Sequence, residues 1–212
     1  LDIHQRWQKV GYPFDHLVPS LATAIGSSGD RPAALAELIG TILNDGVRMP
    51  TLRIDSLHFA ANTPYETKLI NDPDVGKRVM PSEVATAMRE ALSQVVDAGT
   101  AKRVAGTFMT PDGKSLAMGG KTGTGDNRIE SFGSGGRIIS SKSVNRTATF
   151  VFYIGDSHFG TLTAFVPGRS AEAYKFTSAL PVQVLKGMAP ILNAYLQPGA
   201  HTQCLPLQVS QR

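Results

Sequence analysis

A single cysteine, Cys204, occurs in the 212 residues, so no disulfide can form within the chain. This absence leaves the cellular compartment open, because proteins of the cell envelope need not carry disulfides. No uninterrupted apolar run approaches the roughly 20 residues of a membrane-spanning helix. The five histidines are scattered without the spacing of metal ligands, so we predict neither a metal site nor a cofactor.

Clustered basic charge is also missing. Lys and Arg number 21 against 17 Asp and Glu, a formal net charge of +4, and the densest basic groups are pairs such as Lys102-Arg103. A nucleic-acid-binding surface needs a basic stripe, interleaved with aromatic residues, that follows a phosphate backbone. We therefore predict no nucleic-acid partner.

Enough apolar material is present for a core. With 42% hydrophobic residues the chain can form one large domain or part of a larger one. Its first ten residues carry apolar side chains at Leu1, Ile3, Trp7 and Val10, a pattern typical of the interior of a helix. We therefore expect the sequence to be part of a longer chain.

The clearest helical pattern lies in residues 30–46. Asp30 is the expected N-cap, Pro32 falls in the first turn, and Gly46 is the expected left-handed residue after the last turn. Apolar residues follow the helical period between these ends. The three signals together predict one complete helix.

Two more helices are expected at residues 82–98 and about 181–196. Gly99 would end the first, and Pro190 predicts a kink in the second. The buried stripe expected for the first helix consists of Val84, Met88, Ala91, Leu92, Val95 and Val96.

Strand patterns dominate the second half. Residues 51–59 are predicted to be extended, and residues 61–81, rich in Asn, Asp and Pro, to form a loop. Three strand candidates follow, at residues 115–124, 146–155 and 159–167. The last two are joined by three residues, which suits an antiparallel hairpin. Helices, then an antiparallel sheet, then a helix indicate an α+β fold.

The stretch "GGKTGTG" at residues 119–125 is the most unusual local pattern. A phosphate-binding loop would need glycine at position 115, which is Ser115, and a helix directly after the Lys-Thr pair. The residues that follow include two glycines, then Asp126 and Asn127, which read as turn residues. A nucleotide-binding function is therefore disfavoured.

A β-strand accounts for the same residues better than a phosphate-binding loop does. Lys121 and Gly123 would point to one face and Thr122 and Thr124 to the other. The glycines would leave the strand uncovered, so that an extended ligand with a carboxylate could lie against it. The simpler alternative is that Lys121 is a solvated strand lysine.

"KTGT" on such a strand resembles the third motif of the penicillin-binding proteins and serine β-lactamases, whose motifs are Ser-x-x-Lys, Ser-x-Asn and Lys-Thr-Gly. The flanking "PSLATAIGSSGDRPAALAELIGTILNDGVRMPTLRI" and "VMPSEVATAMREALSQVVDAGTAKRV" are similar to the class A penicillin-binding proteins. The resemblance covers nearly the whole chain. It implies the C-terminal portion of a β-lactamase/transpeptidase-like fold.

By this resemblance, Lys121 would be a catalytic residue that holds the carboxylate of a D-Ala-D-Ala stem peptide or a β-lactam and assists proton transfer through a serine hydroxyl. Thr122 and Thr124 would hydrogen-bond that carboxylate. The backbone N–H of Thr124 would supply half of the oxyanion hole. Gly123 would keep the strand close to the ligand.

The sequence departs from the family pattern in one major respect: it lacks Ser-x-x-Lys, because no serine is followed three positions later by lysine. Without that pair the chain has no family nucleophile. Ser143-Val144-Asn145 spells Ser-x-Asn, but it follows "KTGT" instead of preceding it, so we interpret it as a coincidence. The surrounding residues 140–143 are expected to form a polar loop.

These observations predict a fragment of a peptidoglycan D,D-transpeptidase, inactive by itself, with residues 1–197 in the transpeptidase domain and 198–212 in a polar tail. Its expected partners are stem peptides ending in D-Ala-D-Ala, β-lactams, and an N-terminal part of the same domain carrying Ser-x-x-Lys and Ser-x-Asn. The parent chain would be membrane-anchored in the cell envelope, on the periplasmic face of the inner membrane. A non-catalytic module that binds peptidoglycan peptides is the alternative.

Overall fold

The computed structural model describes residues 2–17, 20–21, 23, 28–54, 56–70 and 76–196; the expected tail at 198–212 lies outside them. The chain divides into two compact units, Leu1–Arg89 and Glu90–Arg212. Among the described residues, no helix combines the length and apolar character needed to cross a membrane.

The described residues of the first unit include two complete helices and two small antiparallel sheets. The helices are α1 at Asp2–Lys9 and α2 at Pro32–Leu43. The strands are β1 at Val47–Arg48, β2 at Ser56–Phe59, β3 at Thr67–Ile70 and β4 at Lys77–Arg78. β1 pairs with β4, and β2 pairs with β3.

The start of α2 differs by one residue from the prediction. Its N-cap is Arg31, because the Asp30 carboxylate accepts a hydrogen bond from the adjacent Arg31 N–H, at 2.7 Å, and caps no later amide of the helix. Pro32 does occupy the first turn, where its missing N–H costs nothing.

The end of α2 is as expected. Gly46 has a φ of +84°, and its N–H donates to the Thr41 carbonyl at 2.8 Å. A Cβ at this position would lie 2.3 Å from the carbonyl oxygen of Met80, so the glycine also permits a close backbone approach. The last residue of α2 is Leu43, and the left-handed backbone that follows the helix begins at Asp45, with a φ of +51°, one residue before Gly46.

The loop predicted for residues 61–81 is wrong in part, because β3 and β4 lie within it. Asn62 and Pro64 lie in the connection between β2 and β3, whereas residues 71–75 of the predicted loop lie outside the described residues. Glu66 closes this hairpin: its carboxylate lies 2.8 Å from His58 Nε2 and accepts the Asn62 N–H at 2.8 Å. These contacts lower the pKa of Glu66, the Asn62 amide contributing most.

α3 runs from Ser82 to Asp97, within one residue of the predicted bounds. Of its expected stripe, Leu92 and Val96 are buried and Val95 is half-buried. The exposed members are Val84, Met88 and Ala91. Ala85 is buried instead, so the buried face is narrower than the apolar pattern and turned toward residues 85, 92 and 96.

The second unit is built on a three-stranded antiparallel sheet in the order β5-β6-β7. β5 runs from Met118 to Phe132, β6 from Ile138 to Ile154 and β7 from His158 to Pro167. The predicted β6–β7 hairpin is confirmed by their register, which ends with Ile154 opposite His158. Together with the helices, the sheet confirms the α+β fold class.

β5 and β6 are both longer than predicted. Asp126 and Asn127, expected in a turn, lie in β5, and residues 140–143, expected in a loop, lie in β6. Asp126 and Asn127 pair with Arg146 and Asn145 of β6, and residues 140–143 pair with residues 128–131 of β5. Polar residues that indicate a turn when taken alone are therefore compatible with a strand when a partner strand pairs with them. Only residues 145–154 of β6 also pair with β7, and the rest of β5 and β6 continues as a two-stranded ribbon.

The core of the second unit lies between the sheet and α4, which spans Ala179–Tyr195 with Pro190 inside it. Phe108 and Phe150 are fully buried there, as are Val182 and Leu185 of the helix. Burying side chains of this size stabilises a fold by about 1.5–3 kcal/mol each. This packing holds β6, and through its pairing β5, in place.

Candidate functional site

The glycines of residues 119–125 serve different purposes. A Cβ on Gly119 would lie 2.4 Å from the ring of Tyr153, and one on Gly120 would lie 2.3 Å from the carbonyl oxygen of Val151. At Gly123, by contrast, a Cβ would meet no atom within 4 Å. The first two glycines are therefore required by packing, whereas Gly123 leaves open space beside the strand.

β5 is an edge strand, since within the described residues it pairs with β6 alone. In an antiparallel pair, opposite residues alternate between those that exchange two hydrogen bonds and those that exchange none. The Gly155 N–H donates to the Ala117 carbonyl at 2.7 Å, which places this pair in the bonded class. By the register, Lys121 and Gly123 are also bonded to β6. The N–H and C=O groups of Thr122 and Thr124 therefore point to the unpaired edge.

Lys121 is exposed and lies along that edge. Its Nζ donates to the carbonyl oxygen of Thr122 at 2.6 Å, one of the outward-pointing groups. It makes no ion pair within the part of the chain that the structure describes. The ammonium group is thus placed beside open backbone groups with its charge available to an anion.

The hydroxyls of Thr122 and Thr124 are each held by a group of the same unit. Thr122 is only 8% exposed, and its Oγ1 lies 2.6 Å from Oγ1 of Thr100, which follows α3. Thr124 Oγ1 accepts the backbone N–H of Ser178, the N-cap of α4, at 2.9 Å. A hydroxyl can take part in up to three hydrogen bonds, so both retain capacity for a ligand.

Sequence reasoning did not identify Thr100 or Ser178 as site residues. Thr100 belongs to the quoted "VVDAGTA" segment, so a signal was present, although nothing in the sequence joins it to Thr122, 22 positions away. Ser178 carries no comparable signal, because its contribution is a backbone N–H.

Beyond "KTGT" the strand carries an ion-pair network. Arg128 lies 3.0 Å from Glu172 and 3.6 Å from Asp126, and Arg146 reaches Asp126 at 4.0 Å. Arg146 also donates to the Phe176 carbonyl at 2.8 and 2.7 Å. Asp126 and Glu172 are therefore paired with arginines, and Lys121 is the basic residue of β5 that makes no ion pair among the described residues.

The out-of-order Ser-x-Asn sequence lies in β6. Ser143 is buried opposite Arg128, and its Oγ has no hydrogen-bond partner among the described residues. Asn145 accepts a hydrogen bond from Asn127 Nδ2 at 2.6 Å. Both side chains are thus part of the β5–β6 ribbon. Among the described residues there is also no cluster of three or more potential metal ligands.

The model of the penicillin-binding protein transpeptidase domain matches residues 4–135, more than half of the chain. The chain therefore belongs to this family. The match contains "KTGT" and both helices α2 and α3.

Two kinds of relatives agree with this assignment. Penicillin-binding protein 1B of Escherichia coli K12 is 26% identical over 133 residues, which is 63% of this chain and 15% of that protein. Penicillin-binding protein 1A from Haemophilus influenzae has a similar structure, with a TM-score of 0.60, 19% identity, and coverage of 88% of this chain and 30% of that one. Penicillin-binding protein 3 from Mycobacterium tuberculosis, solved with aztreonam, has a TM-score of 0.55 and 18% identity, with coverage of 89% of this chain and 45% of that one.

At these identities the two solved structures show a common fold. The chain spans less than half the length of each of the three relatives. The family, the antiparallel sheet and the packed helices are thus as predicted. The roles expected for Lys121, Thr122, Gly123 and Thr124 stay predictions.

Proposed function

We propose that this chain is the "KTGT" part of a peptidoglycan D,D-transpeptidase domain, which cross-links stem peptides by serine acyl transfer. The observation that carries the proposal is the edge of β5. There an exposed lysine without an ion-pair partner among the described residues lies beside outward-pointing backbone groups and an unfilled glycine position. Such an edge can accept an extended peptide by strand addition.

In this proposal Lys121 attracts the terminal carboxylate of a D-Ala-D-Ala stem peptide or of a β-lactam. The hydroxyls of Thr122 and Thr124 donate hydrogen bonds to it. The outward Thr124 N–H lies on the same edge and stabilises the negative oxygen that develops on the attacked carbonyl. Gly123 leaves room for the ligand backbone.

The reaction has two acyl transfers. A serine oxygen attacks the carbonyl carbon of the penultimate D-Ala, its proton passes to a base, and the peptide C–N bond breaks with release of D-Ala. The amine of a neighbouring peptide then attacks the acyl-serine ester and regenerates the serine. Lys121 contributes charge and a proton path beside the serine hydroxyl that relays the proton.

In this proposal the nucleophile comes from residues outside this sequence, since no Ser-x-x-Lys occurs in it. We propose that an N-terminal part of the same domain carries Ser-x-x-Lys and Ser-x-Asn and completes the site. We further propose that the parent chain is membrane-anchored and acts on the periplasmic face of the inner membrane.

A non-catalytic module that binds peptidoglycan peptides is the second candidate, and the missing nucleophile favours it. A nucleotide-binding loop has no support, because Lys121 and Thr122 continue into strand residues up to Phe132 where that loop needs a helix.

Labelling with a fluorescent penicillin tests the proposal. We expect the full-length protein to form a covalent adduct on a serine outside this sequence, and the isolated chain of 212 residues to form none. A stable acyl adduct on any serine of this chain would refute the division of roles. A full-length protein that binds stem peptides without acylation would establish the binding module instead.

A further inference from the structure

The two threonines of "KTGT" face a hydrogen-bonding constraint if they bind a carboxylate. An ionised carboxylate only accepts hydrogen bonds, and a threonine hydroxyl has a single hydrogen to donate. Each hydroxyl is useful to the ligand only if no group of the protein takes that hydrogen. The partners of Thr122 and Thr124 within the fold therefore decide whether the site works.

At Thr124 the constraint is met by backbone geometry. The Ser178 N–H can only donate, so the 2.9 Å contact makes Thr124 Oγ1 the acceptor. The hydrogen of this hydroxyl is not used by the contact. The start of α4 thus leaves the hydroxyl hydrogen of Thr124 free for a ligand.

At Thr122 the same result requires a particular partner. Its Oγ1 lies 2.6 Å from the hydroxyl of Thr100, and either oxygen can be the donor. When a carboxylate takes the hydrogen of Thr122, only the arrangement in which Thr100 donates satisfies both bonds. A side chain that could only accept would compete with the ligand for the hydrogen of Thr122.

Thr100 is held in place by the end of α3. A Cβ on the preceding Gly99 would lie 2.9 Å from Val95 Cα, and the following Ala101 N–H donates to the Val95 carbonyl at 3.0 Å. These contacts fix the turn from which the Thr100 hydroxyl reaches β5. Thr100 itself is exposed, whereas Thr122 is nearly buried, so water has little access to replace this bond.

We propose that Thr100 is a positioning residue for carboxylate recognition, which donates to Thr122 Oγ1 and thereby turns the Thr122 hydrogen toward the ligand. This inference rests on the proposed function. It adds a residue outside "KTGT" to the site and assigns it a hydrogen-bond direction. Consecutive bonds from Thr100 to Thr122 to the carboxylate also polarise one another, which strengthens the bond to the charged group.

The test compares Thr100→Val, which keeps the side-chain shape without the hydroxyl, with Thr100→Ser, which keeps the hydroxyl. The rate constant for acylation of the full-length protein is measured with a penicillin and with the same penicillin as its carboxylate methyl ester. We expect Thr100→Val to slow acylation by the free acid on the order of 10-fold and to change the reaction of the ester by less than about 3-fold. Thr100→Ser should restore the rate with the acid.

Equal losses with the acid and the ester would mean that Thr100 supports the fold only, and unchanged rates would mean that it has no role; either result overturns the inference. If Thr100→Val does not fold, Thr100→Ala must show the same selective loss. An unmodified protein that reacts with neither compound would refute the proposed function itself, so this failure is distinguishable from failure of the inference.

Discussion

Substituting alanine for Gly123 and, separately, for Gly120 tests the division of labour among the glycines of β5. The two positions share a strand and receive the same added methyl group. At Gly123 the methyl group would meet nothing within 4 Å, whereas at Gly120 it would lie 2.3 Å from the carbonyl oxygen of Val151 and 2.7 Å from the ring of Phe150. The pair therefore separates the position proposed to face the ligand from a packing position.

The expected changes in stability have opposite signs. Neither glycine has a positive φ, so alanine strains neither backbone. Gly123→Ala reduces the freedom of the unfolded chain and should stabilise the fold by about 0.4–1 kcal/mol. Gly120→Ala forces atoms of β6 to shift, an overpacking that costs about 1–3 kcal/mol. At about 2–4 °C per kcal/mol for a domain of this size, Tm should rise by up to about 4 °C in the first variant and fall by about 2–12 °C in the second.

The acylation rate should fall in the variant whose stability rises. We expect Gly123→Ala in the full-length protein to slow acylation by β-lactams on the order of 10-fold or more, and the bulkier Gly123→Val to slow it further, because the side chain fills space proposed for the ligand backbone. Tm is measured by circular dichroism and acylation by fluorescent penicillin. Unchanged acylation in both variants would place the ligand elsewhere. A fall in Tm for Gly123→Ala equal to that for Gly120→Ala would make Gly123 a structural glycine.

Two further predictions address charge. Lys121→Ala in the full-length protein should slow acylation by a penicillin at least about 100-fold while Tm changes little, since removal of an exposed side chain usually costs less than about 0.5 kcal/mol. Lys142→Ala, which removes an exposed lysine from the paired strand, is the control. Equal effects of the two substitutions would mean that Lys121 contributes only its positive charge and has no specific role. Bonds to Thr51 and, secondarily, Arg48 hold the pKa of Glu37 below its ordinary value of 4.5, so the stability they contribute is present above that pH and lost as pH falls through the folded-state pKa. Urea denaturation should therefore show Glu37→Gln to be less stable than the parent at pH 7, with a smaller difference at pH 3, and a difference that grows toward acid would contradict this reasoning.

Local signals predicted the local structure well. Pro32 lies in the first turn of α2 and the left-handed Gly46 lies three residues after its end, because a missing N–H and a left-handed φ are properties of single residues. The strand pattern around residues 146–155 predicted the buried part of β6 for a related reason, since alternation and β-branched or aromatic residues depend on neighbours in sequence. The "KTGT" strand was found in the same way.

Features that depend on distant partners were not predictable. Asp126 and Asn127 have turn-forming side chains, but they pair with Arg146 and Asn145 of β6, and pairing overrides a weak local preference. The exposed apolar residues of α3 could not be predicted for the same reason. An apolar pattern indicates which residues can be buried, but it does not indicate which of them contact another part of the fold. The contact between Thr100 and Thr122 belongs to this class as well.

The geometry of an edge strand explains how seven consecutive residues can satisfy packing and recognition together. Because backbone groups alternate in direction along β5, Lys121 and Gly123 bind the strand to β6 while Thr122 and Thr124 present theirs outward. The side chains alternate as well, so the residues with outward backbone groups are those whose hydroxyls reach Thr100 and Ser178. A shift of one residue in the pairing of β5 would turn both sets around at once. The close approach of Gly119 to Tyr153 and of Gly120 to Val151 opposes such a shift, because a residue with a side chain would not fit at either position. In this way the structural glycines favour the register that the proposed recognition requires.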